Sequence, residues 1–335
     1  TPANNSVNSS TLYADQWTGE ELFFFAHGDW GKGGYDGEQH DRRALKEHDG
    51  IRRRPRSLNG GGGGGGGHGE GEGGREGEGR QGQDGDHGED HNHEEHDHEE
   101  HEHEEEVFYQ METSRSMQKV ANSTRPSFIM ALGDNFYQDG VESVTDSLWS
   151  TLWKKVYFEE SGILKGIPWH AVIGNHDLGY GDEGVFAQIN RTTSNLMDDD
   201  DGVWQTYGQW YTVKYDIPNA GGFLQIVAVD TTWLSPSENE ATNEEGGISN
   251  VTQAARIKTQ LFELYEIFQD TVHNRPTWLI VAGHYNVFSK ADKGDNDELI
   301  TYLVPLMEHY GVHAYICGHD HINEHLQYHD IEYIV

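Results

Sequence analysis

Residues with metal-binding side chains follow five short apolar segments of this 335-residue sequence. The segments end in GDW, GDNFY, GNHD, GHY and GHDH, and the residues concerned are Asp29, Asp134, Tyr137, Asn175, His176, His284, His319 and His321. Oxygen and nitrogen donors without thiolate suit hard or borderline cations such as ferric iron, Mn, Mg or Zn. The glycine in each block permits a tight turn and close backbone approach. The pattern therefore indicates a metal site.

Each block taken singly is a weak signal. A GD pair after a strand is usually only a turn, and His319 with His321 is equally compatible with a surface histidine pair. The five blocks occur together, however, and each follows an apolar run of strand length. That combination favours metal binding over coincidence.

The apolar runs indicate the elements that position these residues. LFFFAHGDWGKGG, SFIMALGDNFY, IPWHAVIGNHD, FLQIVAVDTTW, TWLIVAGHY and VHAYICGHDH each predict a short strand that ends in small or polar residues. Near-continuous apolar strands that alternate with helices favour an α/β fold with sheets covered on their faces. Because side chains at the same ends of neighbouring strands converge, the blocks are expected to meet in one crevice.

Three segments predict helices. METSRSMQKVA is one, and VTQAARIKTQLFELYEIFQD is another, with an apolar stripe formed by Ile257, Leu261, Leu264, Tyr265 and Phe268. DNDELITYLVPLMEHYG is the third, with a kink predicted at Pro305 and a C-terminal stop at Gly311. The chain ends in EYIV, which predicts a last strand and suggests that the sequence is truncated there.

The formal net charge of −35 comes largely from one block of acidic residues. Residues 36–106 contain a basic patch, a glycine run and a tract rich in His, Asp and Glu, and we predict a disordered insertion because no apolar periodicity offsets the entropy of ordering. Residues 1–20 predict a polar arm, and residues 21–335 a single catalytic domain that the insertion interrupts. The tract at 84–106 could bind further transition metals or tune access to the site, or it could be a solvated expansion without a specific role.

Composition also bears on partners and compartment. The missing basic surface argues against binding to nucleic acid, and no apolar run approaches the roughly 20 residues that cross a bilayer. The single cysteine, Cys317, excludes an intramolecular disulfide. Five N-x-S/T sequons favour a secreted, extracellular or lysosome-like location with N-glycosylation; they begin at Asn4, Asn8, Asn122, Asn190 and Asn250.

The ordered set GDW, GDNFY, GNHD, GHY and GHDH resembles the calcineurin-like metallophosphoesterase superfamily, and more narrowly the purple acid phosphatases of the small, tartrate-resistant type. The resemblance covers about residues 20–34 and 107–335. It implies a four-layer αββα sandwich of two mixed sheets with a dinuclear site at their edge. The implied chemistry is hydrolysis of phosphate monoesters by a metal-bound hydroxide at a centre of Fe(III) and a divalent ion, Fe, Zn or Mn.

The resemblance also implies a role for each residue. The ferric ion would be held by Asp29, Asp134, Tyr137 and His321, and the divalent ion by Asp134, Asn175, His284 and His319. His176 would face the substrate phosphate as the catalytic residue. Tyr137 discriminates within the superfamily, since a phenolate favours Fe(III) and gives a coloured charge-transfer band; its other interpretation is an aromatic packed beside Phe136.

One position departs from the family. A second substrate-facing histidine is expected about nine residues after His284, where this sequence has Lys293. Lys293 could bind phosphate as a point charge, or it could be an exposed loop lysine. Asp177 and Asp320 either orient the histidines or stabilise turns. Two other functions stay open: a phosphodiesterase or nucleotidase with the same centre, and a metal-sequestering protein that uses the histidine-rich tract.

Overall fold

The structure is a computed structural model that describes residues 22–30, 99–158, 162–193, 203–219, 221–238 and 250–335, with the side chains of residues 99–109 and 250 excepted. The predicted arm at 1–20 and residues 36–98 of the predicted insertion lie outside the described residues. In the described part of the chain, no helix is both long enough and apolar enough to span a membrane.

The described strands form two sheets. The first sheet is parallel and contains β1 (Phe24–His27), β2 (Phe128–Ala131) and β3 (Trp169–Ala171) in that order. The second is mixed, in the order β4-β5-β6-β7-β9-β8, and its strands are β4 (Tyr211–Asp216), β5 (Phe223–Ala228), β6 (Trp278–Ala282), β7 (Ala314–Ile316), β8 (His325–Tyr328) and β9 (Ile331–Ile334). Strands β5, β6, β7 and β9 run parallel, while β4 and β8 pair antiparallel at the two edges.

Helices cover the outer faces of both sheets. In chain order they are α1 (Glu99–Thr124), α2 (Lys155–Tyr157), α3 (Gly181–Arg191), α4 (Thr231–Leu234), α5 (Asn250–His273), α6 (Asp297–Tyr302) and α7 (Val304–Tyr310). A π-helical turn, Trp149–Lys154, leads into α2. Pro305 lies at the start of α7 and Gly311 ends it with φ 66°, which confirms the predicted break and stop.

Strand alternation shows that the molecule has four layers. Phe128 and Met130 of β2 pack against the second sheet, whereas Ile129 and Ala131 of the same strand pack toward α1 and the π-helical turn. Residues of β5 alternate in the same way: some pack between the two sheets, and the others pack toward α5, α6 and α7. Successive residues of a strand point to opposite faces, so each sheet has helices on one side and the other sheet on the other. The four-layer αββα architecture expected from the sequence is confirmed.

Helix α1 is longer than the sequence predicted. It begins at Glu99, inside the segment 36–106 that was predicted as a disordered insertion. Glutamate has a high helix propensity and favours helix N-termini, and the sequence from 99 to 124 contains neither Gly nor Pro. The prediction of disorder is therefore wrong for residues 99–106, which belong to the helix.

The predicted stripe of α5 holds for four of its five residues. Leu264 and Phe268 are buried, and Ile257 and Leu261 pack against the same core. Tyr265 is 45% exposed, and its ring packs against that of Tyr310 in a T-shaped arrangement with 6.3 Å between centroids. The prediction for Tyr265 is therefore wrong, because a tyrosine at the margin of the stripe has a polar end that favours the surface while its ring packs against a neighbour.

Aromatic packing anchors the loops that follow β1 and β2. Trp30, directly after Asp29, has its ring centroid 5.5 Å from those of Phe136, Tyr157 and Trp169. Phe136 lies two residues after Asp134 and is also buried. Both loops therefore have a large buried side chain adjacent to a candidate ligand, which limits how far those loops can move.

Candidate metal centre

The predicted site residues lie at one edge of the two sheets. Each follows the carboxyl end of a parallel strand: Asp29 follows β1, Asp134 follows β2, Asn175 and His176 follow β3, His284 follows β6, and His319 and His321 follow β7. Parallel strands direct their carboxyl ends to the same edge, so residues more than 250 positions apart in sequence meet there. All seven predicted ligands and His176 take part in this one arrangement.

Tyr137 and three neighbouring side chains form a first group of donor atoms. The Tyr137 hydroxyl oxygen lies 2.9 Å from Asp134 Oδ2, 3.3 Å from Asp29 Oδ1 and 3.2 Å from His321 Nε2. His321 Nε2 is also 3.4 Å from Asp29 Oδ1. Ligand atoms of Asp29, Asp134 and His321 all lie within 4.8 Å of one another, a spacing that one cation could bridge. This group contains the four residues assigned to the ferric ion.

A second group forms around His284 and shares Asp134 with the first. His284 Nε2 lies 3.1 Å from Asn175 Oδ1 and 3.3 Å from Asp134 Oδ1. The His319 ring packs against the His284 ring, with 5.0 Å between centroids. Asp134 thus directs one carboxylate oxygen to each group, which is the arrangement that a bridging ligand requires.

His319 provides a test of whether the second group fits a metal. Its Nε2 atom is buried and has no hydrogen-bond partner among the described residues, while its backbone N–H donates to Asp29 Oδ2 at 2.9 Å. Burial, together with the charge of His284, lowers the pKa of His319 to about 3. The ring is therefore neutral, and a buried imidazole nitrogen without a partner fits a site that receives a cation.

Charges within the site compensate one another in the metal-free protein. Burial would lower the pKa of His284, but the carboxylate of Asp134 outweighs it and raises that pKa to about 9. Burial likewise opposes ionisation of Asp134, yet the charge of His284 keeps the pKa of Asp134 below its usual range. His284 is thus a cation beside Asp134 at neutral pH, so a bound metal must displace its proton.

Tyr137 remains a neutral phenol without a cation. Burial and the charges of Asp134 and Asp29 raise its pKa well above the usual value. A phenolate at this position therefore requires a strongly polarising cation, which is what a ferric ion supplies.

Left-handed backbone angles are concentrated at the predicted ligands, which are four of the seven non-glycine residues with positive φ in the described part of the chain. Four predicted ligands have left-handed φ angles: 54° at Asp29, 49° at Asp134, 76° at His319 and 51° at His321. Such angles are uncommon outside glycine and cost about 1 kcal/mol or more each. Clustered strain of this kind is typical of functional sites, where the surrounding fold holds side chains in place.

Buried backbone and side-chain groups orient the histidines and the loops. His284 Nδ1 lies 2.8 Å from the carbonyl oxygen of Leu132, so Nε2 faces the site. Asp177 contacts no ligand histidine; its carboxylate accepts from the backbone N–H groups of Gly174, Asn135 and Phe136 at 2.9, 3.1 and 3.3 Å. Of the two roles predicted for Asp177, the structure supports loop stabilisation, since it ties the loop after β2 to the loop after β3.

Glycine at position 174 is required by close contact with Asp134. A Cβ atom there would lie 2.2 Å from Asp134 N and 2.2 Å from its Oδ1 atom. At position 318 a Cβ would lie 2.3 Å from Asp29 Oδ2. Two of the five glycines predicted to allow close approach therefore lie directly against the carboxylates of Asp134 and Asp29.

We expect Gly174→Ala to abolish metal binding while the protein remains folded, because the new methyl group must displace Asp134. The measurement is metal content per chain after reconstitution, with circular dichroism as a check on folding. Gly166→Ala is the control for backbone strain without a steric clash, since that glycine has φ 82°, which disfavours alanine, but no atom within 4 Å of an added Cβ; it should keep its metal. Normal metal content in Gly174→Ala would contradict this packing argument.

His176 lies beside the donor groups and is more open to solvent. Its side chain is 34% exposed, and Nε2 is 4.0 Å from Asp134 Oδ2. Nδ1 is 2.8 Å from the carbonyl oxygen of Gln138, and its backbone N–H donates to Asp134 Oδ1 at 2.9 Å. The ring is thereby oriented with Nδ1 toward the Gln138 carbonyl and Nε2 toward Asp134.

The loop between β6 and α6 lies against the GHDH turn. Lys293 is exposed, its backbone N–H is 3.3 Å from Asp320 Oδ1, and its charge contributes to the low pKa of His319. Asp320 contacts this loop rather than a histidine ring. His325 is outside the site, where its Nε2 is 2.7 Å from Glu332 Oε2 across the β8–β9 pair.

The family model described as calcineurin-like phosphoesterase matches residues 91–323. The chain belongs to the calcineurin-like phosphoesterase family. The matched range contains every predicted ligand of this phosphoesterase domain except Asp29, which the fold brings to the site through β1.

Individual relatives support the narrower resemblance to purple acid phosphatases. Tartrate-resistant acid phosphatase type 5 of Oryctolagus cuniculus is 32% identical over 219 residues, or 65% of this chain and 62% of that protein. Purple acid phosphatase 7 of Arabidopsis thaliana is 25% identical over 222 residues, 66% of this chain and 62% of that protein. The phosphoesterase chain thus spans less than two thirds of the length of these relatives.

A solved structure supports the fold. The chain described as "GAP50 the anchor in the inner membrane complex of Plasmodium" matches with a TM-score of 0.53 and 23% identity. The match covers 66% of the phosphoesterase chain and 64% of that chain.

Several residues that shape the site carry no signal in the sequence. Leu132 and Gln138 act through backbone carbonyl oxygens, which any residue type would supply. Thr231 Oγ1 accepts from the backbone N–H groups of His284 and Tyr285 at 3.2 and 2.9 Å, across 53 and 54 positions of sequence. Only the strand order brings such groups to the site.

Proposed function

We propose that this chain is an acid phosphatase that hydrolyses phosphate monoesters at a dinuclear centre of Fe(III) and a divalent Fe, Zn or Mn ion. The observation that carries the proposal is the pair of donor groups that share Asp134. The names of the purple and tartrate-resistant acid phosphatase relatives support the reaction class.

The donor chemistry supports a different cation in each group. Asp29, Asp134, Tyr137 and His321 would hold the ferric ion, because two carboxylates and a phenol are hard donors. Asn175, His284 and His319, with the other oxygen of Asp134, would hold the divalent ion, since imidazole and amide donors suit borderline metals. When bound, two such cations supply an acidified water and neutralise the phosphoryl oxygens.

The surrounding residues would bind and orient the ester. His176 directs Nε2 toward the donor groups, and its imidazole would stabilise charge on the phosphate or donate a proton to the leaving oxygen. Lys293 would contribute a point charge at the position where the family has a second histidine. The lysine does not reproduce a histidine's proton transfer near neutral pH, so His176 would be the residue that supplies the proton.

The test is hydrolysis of an aryl phosphate monoester by the protein reconstituted with iron and zinc, with the metal-free protein as reference. We expect turnover that depends on both metals and exceeds the rate on the corresponding aryl diester. A higher rate on the diester would favour a phosphodiesterase or nucleotidase. No hydrolysis of either ester by protein that holds two metals per chain would overturn the proposal.

A deletion separates the catalytic domain from the histidine-rich tract. Replacing residues 36–98 with a short Gly/Ser linker stops before α1, which begins at Glu99. We expect this variant to retain two metals per chain and its turnover, because every predicted ligand lies outside the deleted segment. Loss of nearly all bound metal would instead favour the sequestering function.

We also propose a secretory route, supported by the sequons. Asn122 and Asn190 fall in the described residues, and both are exposed near the ends of α1 and α3. Glycan attachment requires such access. Mass spectrometry of the protein from secreting cells should find glycan at one or both positions, and unmodified asparagine at both would argue against this location.

A further inference from the structure

The loop that carries Lys293 is held by Asp320, a residue that lies between two predicted ligands, His319 and His321. Asp320 Oδ2 accepts a short hydrogen bond from the Ser289 hydroxyl, and Oδ1 is 3.3 Å from the Lys293 backbone N–H. One carboxylate therefore links the metal-binding turn to two points of the loop.

Further hydrogen bonds give the loop a defined shape. Ser289 is 3% exposed, and its hydroxyl oxygen accepts from the Ala291 N–H at 3.0 Å. The Asn286 side chain donates to the Gly294 carbonyl at 2.6 Å, and Gly294 has φ 73°, a turn conformation that favours glycine. Lys293 thus lies at the end of a turn that hydrogen bonds hold in one conformation.

The two lysines of this loop differ in their partners. Lys290 Nζ is 3.5 Å from Asp295 Oδ1, whereas no carboxylate lies within 4.0 Å of the Lys293 ammonium in the described part of the chain. Of the two loop lysines, only Lys293 has no carboxylate partner among the described residues. Lys290, already paired, is its natural control.

We propose that Asp320 is a positioning residue for the substrate: through Ser289 and the Lys293 backbone it holds the Lys293 ammonium where it binds the phosphate group. The ligand class, a phosphate ester, rests on the proposed function. Asp320 itself touches neither the ester nor the metals. It fixes the distance between the GHDH turn and the Lys293 ammonium.

Inorganic phosphate is the probe, and its Kd is measured by calorimetry on the full, metal-reconstituted chain. We expect Lys293→Ala and Asp320→Ala each to weaken phosphate binding by about tenfold, as for the loss of a hydrogen-bonded charge. The double variant should bind no more weakly than either single variant, because both changes remove the same contact. Lys290→Ala should bind as the wild type does.

Two measurements separate positioning from a merely structural role. Metal content should stay at two ions per chain in Asp320→Ala, and Asp320→Asn should restore most of the phosphate affinity because its amide can still bond the loop. Effects of Asp320→Ala and Lys293→Ala that multiply in the double variant, or loss of metal in Asp320→Ala, would overturn the proposal. So would a wild-type protein that binds no phosphate.

Turnover is measured separately with the aryl phosphate. If the proposed function is right, Lys293→Ala and Asp320→Ala should raise KM more than they lower kcat, since positioning acts on ester binding. Non-additive phosphate binding without turnover in the wild type would support the positioning role and sink the proposed function. Turnover in the wild type, together with additive effects of the two substitutions on phosphate binding, would support the proposed function and overturn the positioning role.

Discussion

Asp134→Ala is expected to lower phosphate ester hydrolysis by on the order of 10³-fold. Asp134 directs one oxygen to each donor group, so its removal would weaken both proposed metal positions together. Metal ions contribute several kcal/mol to transition-state stabilisation, and each 1.4 kcal/mol is about a factor of ten in rate.

The measurement for Asp134→Ala pairs initial rates with metal content per chain. Asp270→Ala is the control, because that aspartate is exposed on α5 and pairs with Lys214 at 3.0 Å. The control should keep both metals and full activity. Two tightly bound metals in Asp134→Ala would show that the carboxylate does not bridge them.

His176→Ala is expected to lower kcat by about 10²- to 10⁴-fold, the usual range for loss of a residue that transfers a proton in the transition state. Metal content should not change, because the His176 side chain lies 4.0 Å from Asp134 and outside both donor groups. The comparison with Lys293→Ala is decisive, since a point charge that only binds phosphate acts mainly on KM. Equal and small effects of the two substitutions would contradict the role of His176.

Strand-end residues are the part of the site that could be predicted from the sequence. Parallel strands bring their carboxyl ends to one edge, so the five motifs located the side chains that meet there. The glycines were also predictable, as Gly174 against Asp134 illustrates. A local motif suffices in these cases because the fold class alone determines where strand ends lie.

Long-range hydrogen bonds could not be predicted in the same way. Ser289 and Asp320 are 31 positions apart, and their contact depends on the path of one loop. The role of Asp177 depends on the backbone N–H groups that it reaches, three of which belong to Gly174, Asn135 and Phe136. Sequence patterns identify side-chain chemistry, whereas these contacts arise from backbone geometry that any residue type could provide.

The start of one helix and two of the strands also could not be predicted from the sequence. The start of α1 at Glu99 lies in sequence that composition marks as low-complexity, because local helix propensity and global composition favour different states there. Strands β4 and β8 were not predicted. Each lies at an edge of the second sheet, and half or more of its residues stay partly or fully exposed, so neither produces an uninterrupted apolar run.

Visible absorption of the iron-reconstituted protein tests the central claim most directly. A neutral phenol absorbs only in the ultraviolet, and burial with two neighbouring carboxylates keeps Tyr137 neutral unless a ferric ion is bound beside it. We predict a visible band in the wild type that is lost in Tyr137→Phe while iron content is retained. An iron-loaded wild type without the band, or a variant that keeps it, would contradict a ferric–tyrosinate centre.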